Sequence, residues 1–481
     1  MIALFPNLVS VRIINNMTDF NTYLSPFTWR YASTEMRAIW SEEHKRRLWR
    51  LIWVTLAEVQ SEYGLVNPDQ VAELRLEQEH VNVPRALEIE AEIHHDLMAE
   101  LKAFAEQCPR GGAVLHLGAT SADIEENADV LRIRQSFDLI LGKLHHLLSI
   151  FADKILQWAD VPVIAFTHLQ PAEPTTLGYR LALYAQDLLF DQQEIKRVSQ
   201  ELRGKGFKGS VGTSAAYAEL VGLKQLEEFE SRLSAKLGLV FYPITSQVYP
   251  RKQDYQVINA LAGVGATLYK FALDLRFLQS PLIGELSEPF GRKQVGSSAM
   301  PFKRNPVNSE KIDSLARMLA QMPRLAWDNA AHSILERTLD DSANRRTMLP
   351  EAFLIVDELV DGMVKIIEGL QVDEMAMKRN LQAYSPFAGM ERILVSLTKA
   401  GADRQAMHER LRQYAMQAWE ALRMGQTNPI ITYICSDVVF LTYLPANQLK
   451  SILEADSYIG DAPLRARQFA NKIRAQESEI N

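Results

Sequence analysis

Cysteine is nearly absent: only Cys108 and Cys435 occur in 481 residues, far apart in the chain. That scarcity excludes a disulfide framework and favours a reducing compartment, the cytoplasm. A basic surplus is also lacking, because 52 Lys and Arg face 59 Asp and Glu, for a net charge of −7. The balance gives no reason to expect nucleic acid as a partner, although a local basic pocket for a small anion would be invisible in the total. No run of about 18 apolar residues is present, so a membrane-spanning helix is not expected. Residues 1–20 have neither a basic region before a short apolar run nor a clear small-residue cleavage site, which fits a secretory signal poorly. Met17 is an alternative start. None of the ten histidines lies in an HExxH or a Cys/His pattern with zinc spacing, so no metal site is expected. Alternating segments that would build a large sheet, internal repeats and low-complexity tracts are missing as well.

What is present is helical periodicity. Val130, Ile133, Phe137, Ile140, Leu144, Leu147, Phe151, Ile155 and Trp158 recur every three or four residues. Over 29 residues such a helix would be about 43 Å long. A second series runs from Leu177 to Leu202, with Asp191 in place of one apolar residue; a third runs from Val257 to Leu278 and a fourth from Phe353 to Leu370. Spacing near 3.5 residues, kept over several heptads, predicts long helices packed at shallow angles. Flanking apolar residues such as Leu183, Leu189 and Phe277 broaden the stripe beyond one face, which suits burial in an oligomer. Shorter helices are expected over 35–63 and 88–107, and strands at 162–166 and 240–244. Residues 373–481 read as helices broken at Ser385-Pro386, Gly401, Asn428-Pro429 and Gly460. The expected fold is therefore all-α, in three parts: 1–120, a central bundle over 121–372, and 373–481.

Five segments concentrate chemistry. Residues 294–310 read QVGSSAMPFKRNPVNSE, a loop by its glycine and two prolines, crowded with hydroxyls, cations and an amide. His168 lies in FTHLQPAEPTT, where Pro171 and Pro174 suggest an irregular stretch whose polar groups face a pocket. His116 lies in LHLGATSAD, where Thr120 and Ser121 offer hydroxyls and N–H groups for an anion, and His95 lies in HHDLMA on an expected helix. The stretch LERTLDDSANRR at 335–346 carries Arg337, Ser342 and Arg346 at spacings that suit forked contacts to phosphate oxygens, and equally suit a solvated helix end.

The loop fills every fixed position of the fumarase/aspartase superfamily pattern G-S-S-x-M-P-x-K-x-N. With RYAS at 30–33, HLGATS at 116–121, QVYPRK at 247–252 and KAGADRQAMHE at 399–409, nearly the whole chain after about residue 25 resembles the adenylosuccinate lyase family, most of all its animal-type branch. The resemblance implies β-elimination of fumarate from adenylosuccinate, and from the succinyl-carboxamide imidazole ribotide of the purine pathway, without a cofactor. It also implies a homotetramer whose sites are shared between chains.

Carried over by motif, Ser297 is the base, His168 the acid, and Glu310 the carboxylate that orients His168. Lys303 and Asn305 match the residues that hold the succinyl carboxylates, and Ser298 follows the base. His95, His116, Thr120, Ser121 and Gln247 match substrate-contacting positions, flanked by His94 and Asp96. Arg30, Tyr31, Arg337, Ser342 and Arg346 match the nucleotide and phosphate side. Lys311 stands where those enzymes carry arginine, and SPFAGME at 385–391 departs from their LPFMATE-like run. Other lyases on the same scaffold, argininosuccinate lyase among them, and a non-catalytic helical oligomer are the alternative readings.

Overall fold

Each of the four expected apolar series forms a long helix. They run over Ser121–Gln157, Leu177–Glu201, Lys252–Gln279 and Ser342–Glu368. From Val130 to Ile155 every apolar residue of the first series is buried. The helix begins earlier than its apolar series, at Ser121, because the polar residues of its first turns are themselves buried: Asp123, Glu126 and Asn127. The computed structural model describes residues 20–454 and 458–478. The alternative start at Met17 lies outside the described residues.

The described chain forms two compact units. The first comprises residues up to Gly142 together with Gln193–Gly265 and Ala316–Leu359. In its core the Trp40 ring stacks on Phe353 at 5.6 Å, and Phe137 meets Phe353 edge-on at 5.2 Å. The helix expected over 35–63 is two helices, Thr34–Ile39 and Glu42–Glu62. Ser41 divides them, its hydroxyl accepting from the His44 N–H at 3.1 Å as an N-cap. The helix expected over 88–107 is likewise divided, into Val83–Ile93 and Asp96–Gln107. His94 takes the left-handed conformation (φ 56°) and His95 becomes the N-cap, so His95 lies at a junction rather than on a helix. The strand expected at 240–244 is reduced to a single bridge between Gly204 and Phe241.

The second unit comprises Lys143–Gln192, Ala266–Leu315 and the described residues from Val360 onward. Phe271 meets both Phe151 (5.8 Å) and Tyr184 (4.9 Å) edge-on. Asp191, the polar intruder in the second apolar series, is buried and accepts from the Thr267 hydroxyl at 2.6 Å. Burial pushes its carboxyl up to about 6, with Asp187 adding to the rise and the Thr267 hydrogen bond opposing it.

The segment holding Pro171 and Pro174 is mainly extended, with a single register shift between the two prolines. It is strand β2 (Gln170–Thr176), paired antiparallel with β1 (Pro162–Thr167). A two-stranded hairpin leaves an outer edge on each strand, where proline forfeits no ladder bond. The helix Glu374–Lys399 packs against this hairpin and continues through Pro386, where the sequence predicted a break. Pro386 forfeits one N–H, and the nearby Ala383 carbonyl accepts from the Asn428 side chain at 2.8 Å. Beyond it, helices Arg404–Arg423, Ile430–Cys435 and Ala446–Leu453 close around Ile393, Leu397, Phe440 and Leu449.

Candidate active site

The candidate residues fall into two sets, one in each unit. In the second unit, residues 289–306 form a loop, and the last four residues of the stretch expected as loop, 307–310, instead open the helix Val307–Leu319. One buried carboxylate ties the two ends of that loop together. Glu288 Oε1 accepts from the Asn308 N–H (3.1 Å) and side-chain amide (3.0 Å), and Oε2 from the Ser309 N–H (3.0 Å) and hydroxyl (3.1 Å). A carboxylate at a helix N-terminus satisfies donors with no partner inside the helix and complements the helix dipole. Just before it, β3 (Leu286–Ser287) pairs with β4 (Gln371–Val372), and the buried Glu285 meets Arg180 at 2.9 Å.

Within the loop, the Ser297 hydroxyl accepts from the N–H groups of Ala299 (3.4 Å) and Met300 (3.1 Å). The Asn305 amide donates to the Gly296 carbonyl at 2.9 Å, which folds the loop back on itself. Only glycine fits at 296, since a Cβ would lie 2.2 Å from the Lys303 carbonyl oxygen. Ser298, Met300, Phe302 and Lys303 are exposed. Glu310 lies in the first turn of the following helix and faces Arg276 at 3.8 Å, with Lys311 next to it. The same Arg276 meets the buried Asp313 at 2.7 Å.

His168 occupies the tip of the β1–β2 hairpin. With Leu169 it forms a two-residue turn in which both φ angles are positive, 56° and 58°, as a type I′ connection requires. The imidazole is exposed. Among the described residues no hydrogen bond or ion pair joins it to Glu310.

The first unit gathers the other set. Arg30 lies over the rings of Trp29 (5.6 Å) and Tyr31 (6.0 Å). The segment after them is pinned to the helix Ser342–Glu368, with the Ala32 N–H donating to Glu358 (2.9 Å) and the Ser33 N–H to Asp357 (2.6 Å). Thr120 and Ser121 stand at the N-terminus of the 37-residue helix, and the Asp123 carboxylate accepts from the Thr120 N–H at 3.0 Å. Gln247 is held by its N–H to the Glu336 carbonyl at 3.1 Å. His116 is left-handed (φ 67°), and its Nδ1 accepts from the Trp53 indole N–H at 3.0 Å. Burial lowers its pKa and nearby His95 adds to that, against an opposing pull from Asp123.

The 335–346 stretch is solvated on one side, where Leu335, Leu339 and Arg346 are exposed, but it buries Asp341 and Arg345 on the other. Arg345 is buried and meets Asp254 (2.7 Å), Asp129 (3.4 Å) and the Tyr249 hydroxyl (2.8 Å). Beside it Arg251 grips Glu126 through two bonds of 2.7 and 2.8 Å and Asp341 at 2.5 Å. Asp341 also accepts from Arg337 at 2.8 Å. This satisfied network underlies a cavity of about 160 Å³ lined by Arg337, Ser342, Arg346, Asp96, Glu125 and Trp49, among others. Arg346 reaches Asp96 at 2.8 Å. Burial works to raise the Asp96 carboxyl, but Arg346, the Leu97 N–H and Lys45 outweigh it and hold it below its ordinary value.

Glu125 is the opposite case. Burial first, then the charges of Asp96, Asp129 and Glu126, push it up to about 7 against the pull of Arg346. Its folded pKa therefore lies above the unfolded value, so folding takes up a proton. The penalty is absent below about pH 4.5 and complete above about pH 7. Glu125→Gln is expected to stabilise the protein by about 2 kcal/mol at pH 8 and by much less at pH 5. Unfolding midpoints of both proteins at the two pH values check this.

Sequence reasoning missed Glu288, Glu125 and Trp53. For Glu288 the signal was available: an acidic residue just before the loop and an Asn-Ser pair just after it. The other two depend on tertiary neighbours.

A family model described as "Lyase" matches residues 58–320, and one described as "Adenylosuccinate lyase C-terminus" matches 386–469. The adenylosuccinate lyase of Schistosoma mansoni is 38% identical over 462 residues, which cover 95% of each chain. The chain belongs to the adenylosuccinate lyase family. Among its relatives in that family, the Saccharomyces cerevisiae enzyme is 36% identical over 464 residues, 95% of each chain. The Pyrococcus abyssi enzyme is 36% identical over 461 residues, 94% of this chain and 98% of that one. The fold recurs in solved structures at lower identity. The 3-carboxy-cis,cis-muconate lactonizing enzyme of Pseudomonas putida superposes with a TM-score of 0.81 at 23% identity, covering 93% of this chain and 99% of that one. A fumarate lyase from Mesorhizobium sp. BNC1 gives 0.81 at 21% identity, covering 94% and 99%.

Proposed function

We propose that the protein cleaves adenylosuccinate to AMP and fumarate, and performs the same elimination on the succinyl-carboxamide imidazole ribotide. The observation that carries this reading is the full-length match to adenylosuccinate lyases at 38% identity, covering 95% of both chains. In the proposed reaction Ser297 removes a proton from the succinyl carbon beside a carboxylate. The electron pair is held as a dianionic carboxylate by Lys303, Asn305 and loop N–H groups. The C–N bond then breaks, its electrons pass to nitrogen, and His168 supplies the proton that nitrogen takes up. A serine is a poor base unless its alkoxide is stabilised, and the two backbone N–H groups that point at Ser297 Oγ support that role. Closure of the loop would exclude water from the carbanion.

Arg337, Ser342 and Arg346 around the cavity support phosphate binding, and Arg30 and Tyr31 join them in the proposed nucleotide and phosphate side. His95, His116, Thr120, Ser121 and Gln247 complete the proposed substrate contacts. The proposed organisation has three parts, 1–120, 121–372 and 373–481, in a cytoplasmic homotetramer whose sites combine residues of different chains. Exposed Leu183, Phe190 and Phe277 on the long helices, and Val295 and Phe302 on the loop, support burial against further copies. The exposed His168 would then meet a carboxylate such as Glu310 from another copy.

Ultraviolet absorbance during incubation with adenylosuccinate tests the reading. Conversion to AMP and fumarate, with argininosuccinate untouched, is expected. Activity on argininosuccinate alone would contradict it.

A further inference from the structure

The helix Glu42–Glu62 holds the loop 116–118 by two side chains. The Trp53 indole N–H donates to His116 Nδ1 at 3.0 Å, and the Gln60 amide donates to the Leu117 carbonyl at 2.8 Å. The two rings cross edge-on, 6.1 Å apart and at 76°. The backbone there is constrained: His116 is left-handed (φ 67°), a conformation that non-glycine residues seldom adopt. Gly118 follows at φ 78°, where a Cβ would lie 2.8 Å from Leu220. Trp53 itself is only 1% exposed, so no water competes for its single N–H.

Indole nitrogen can only donate. A histidine nitrogen that accepts from it carries no proton, and the proton of the neutral ring must then sit on the other nitrogen. An imidazolium would set two donors against each other inside the protein. We infer that Trp53 is a positioning residue for the lyase site: it fixes His116 as the neutral Nε2–H tautomer and aims that single donor at the substrate. The lowered pKa of His116, caused first by burial, agrees with a ring kept uncharged. This inference rests on the proposed function, in which His116 contacts substrate. It differs from a merely structural role for Trp53, because it specifies where one proton sits.

A neutron structure of deuterium-exchanged wild-type crystals reads that proton directly, with no need for turnover. Deuterium on Nε2 of His116 and none on Nδ1 is expected; deuterium on Nδ1 overturns the inference. Kinetics supply the second arm. Trp53→Phe frees the ring to take the other tautomer, so KM for adenylosuccinate should rise about tenfold with kcat within about twofold. Loss of folded enzyme would instead lower kcat at constant KM. In a His116→Ala background the same Trp53→Phe change should have no further effect on KM, because the donor it controls is gone. An unchanged KM in the single variant, or an equal effect in both backgrounds, would refute the positioning role. A wild-type protein that fails to cleave adenylosuccinate would count against the proposed function, while the neutron result would still report the tautomer.

Discussion

Replacing Ser297 with alanine is expected to lower kcat for adenylosuccinate by about a thousandfold or more, since the variant has no group at that position to take the proton. The fold should be indifferent. Ser297 lies in a largely exposed loop, and its hydroxyl accepts two hydrogen bonds from N–H groups of the same loop, at 3.1 and 3.4 Å. Removing that acceptor costs about 1 kcal/mol or less where water can replace it. The loop's anchor, the Glu288 carboxylate across residues 308 and 309, is untouched by the change. Circular dichroism and sedimentation should therefore match wild type while turnover disappears. A variant with near-normal kcat would remove Ser297 from the mechanism.

How much of this was legible depended on the kind of signal. The long helices were, because burial of one stripe is what an apolar period of three and four residues encodes, and Val130 to Ile155 are all buried as that period requires. Asp191 looked like an interruption, but its Thr267 partner comes from a residue 76 positions away. Local rules failed where tertiary contacts overrode them. Proline marks a break on average, yet Pro171 and Pro174 sit in a two-stranded hairpin and Pro386 inside a helix. The opposite error occurred at His94-His95, where good helix formers on both sides hid a left-handed residue and a new N-cap.

The candidate site divides in the same way. The 294–310 loop and the 335–346 stretch were legible as motifs, since reactive residues crowd into a short span. Their supports were not. Arg251, Glu126, Asp254 and Asp129 form the buried network beneath Arg337 and Arg346, and they come from two stretches of chain more than 120 positions apart. Spacing cannot predict which charges meet across such distances. Glu125, raised to about 7, likewise owes its character to burial and to Asp96, 29 positions earlier in the numbering.

The second large effect concerns His168. His168→Ala should abolish turnover as Ser297→Ala does, because the departing nitrogen then lacks its proton donor. The hairpin should survive, since the exposed ring makes no side-chain hydrogen bond among the described residues and the turn is fixed by backbone geometry. In the proposed homotetramer these two residues serve one site built from more than one chain. Mixing the two inactive variants tests it most directly. If each site takes Ser297 and His168 from different chains, equal mixing should return about a quarter of wild-type activity, the fraction of sites with both residues intact. No recovered activity, in a mixture whose subunit exchange is demonstrated by mass-tagged chains, would contradict the claim.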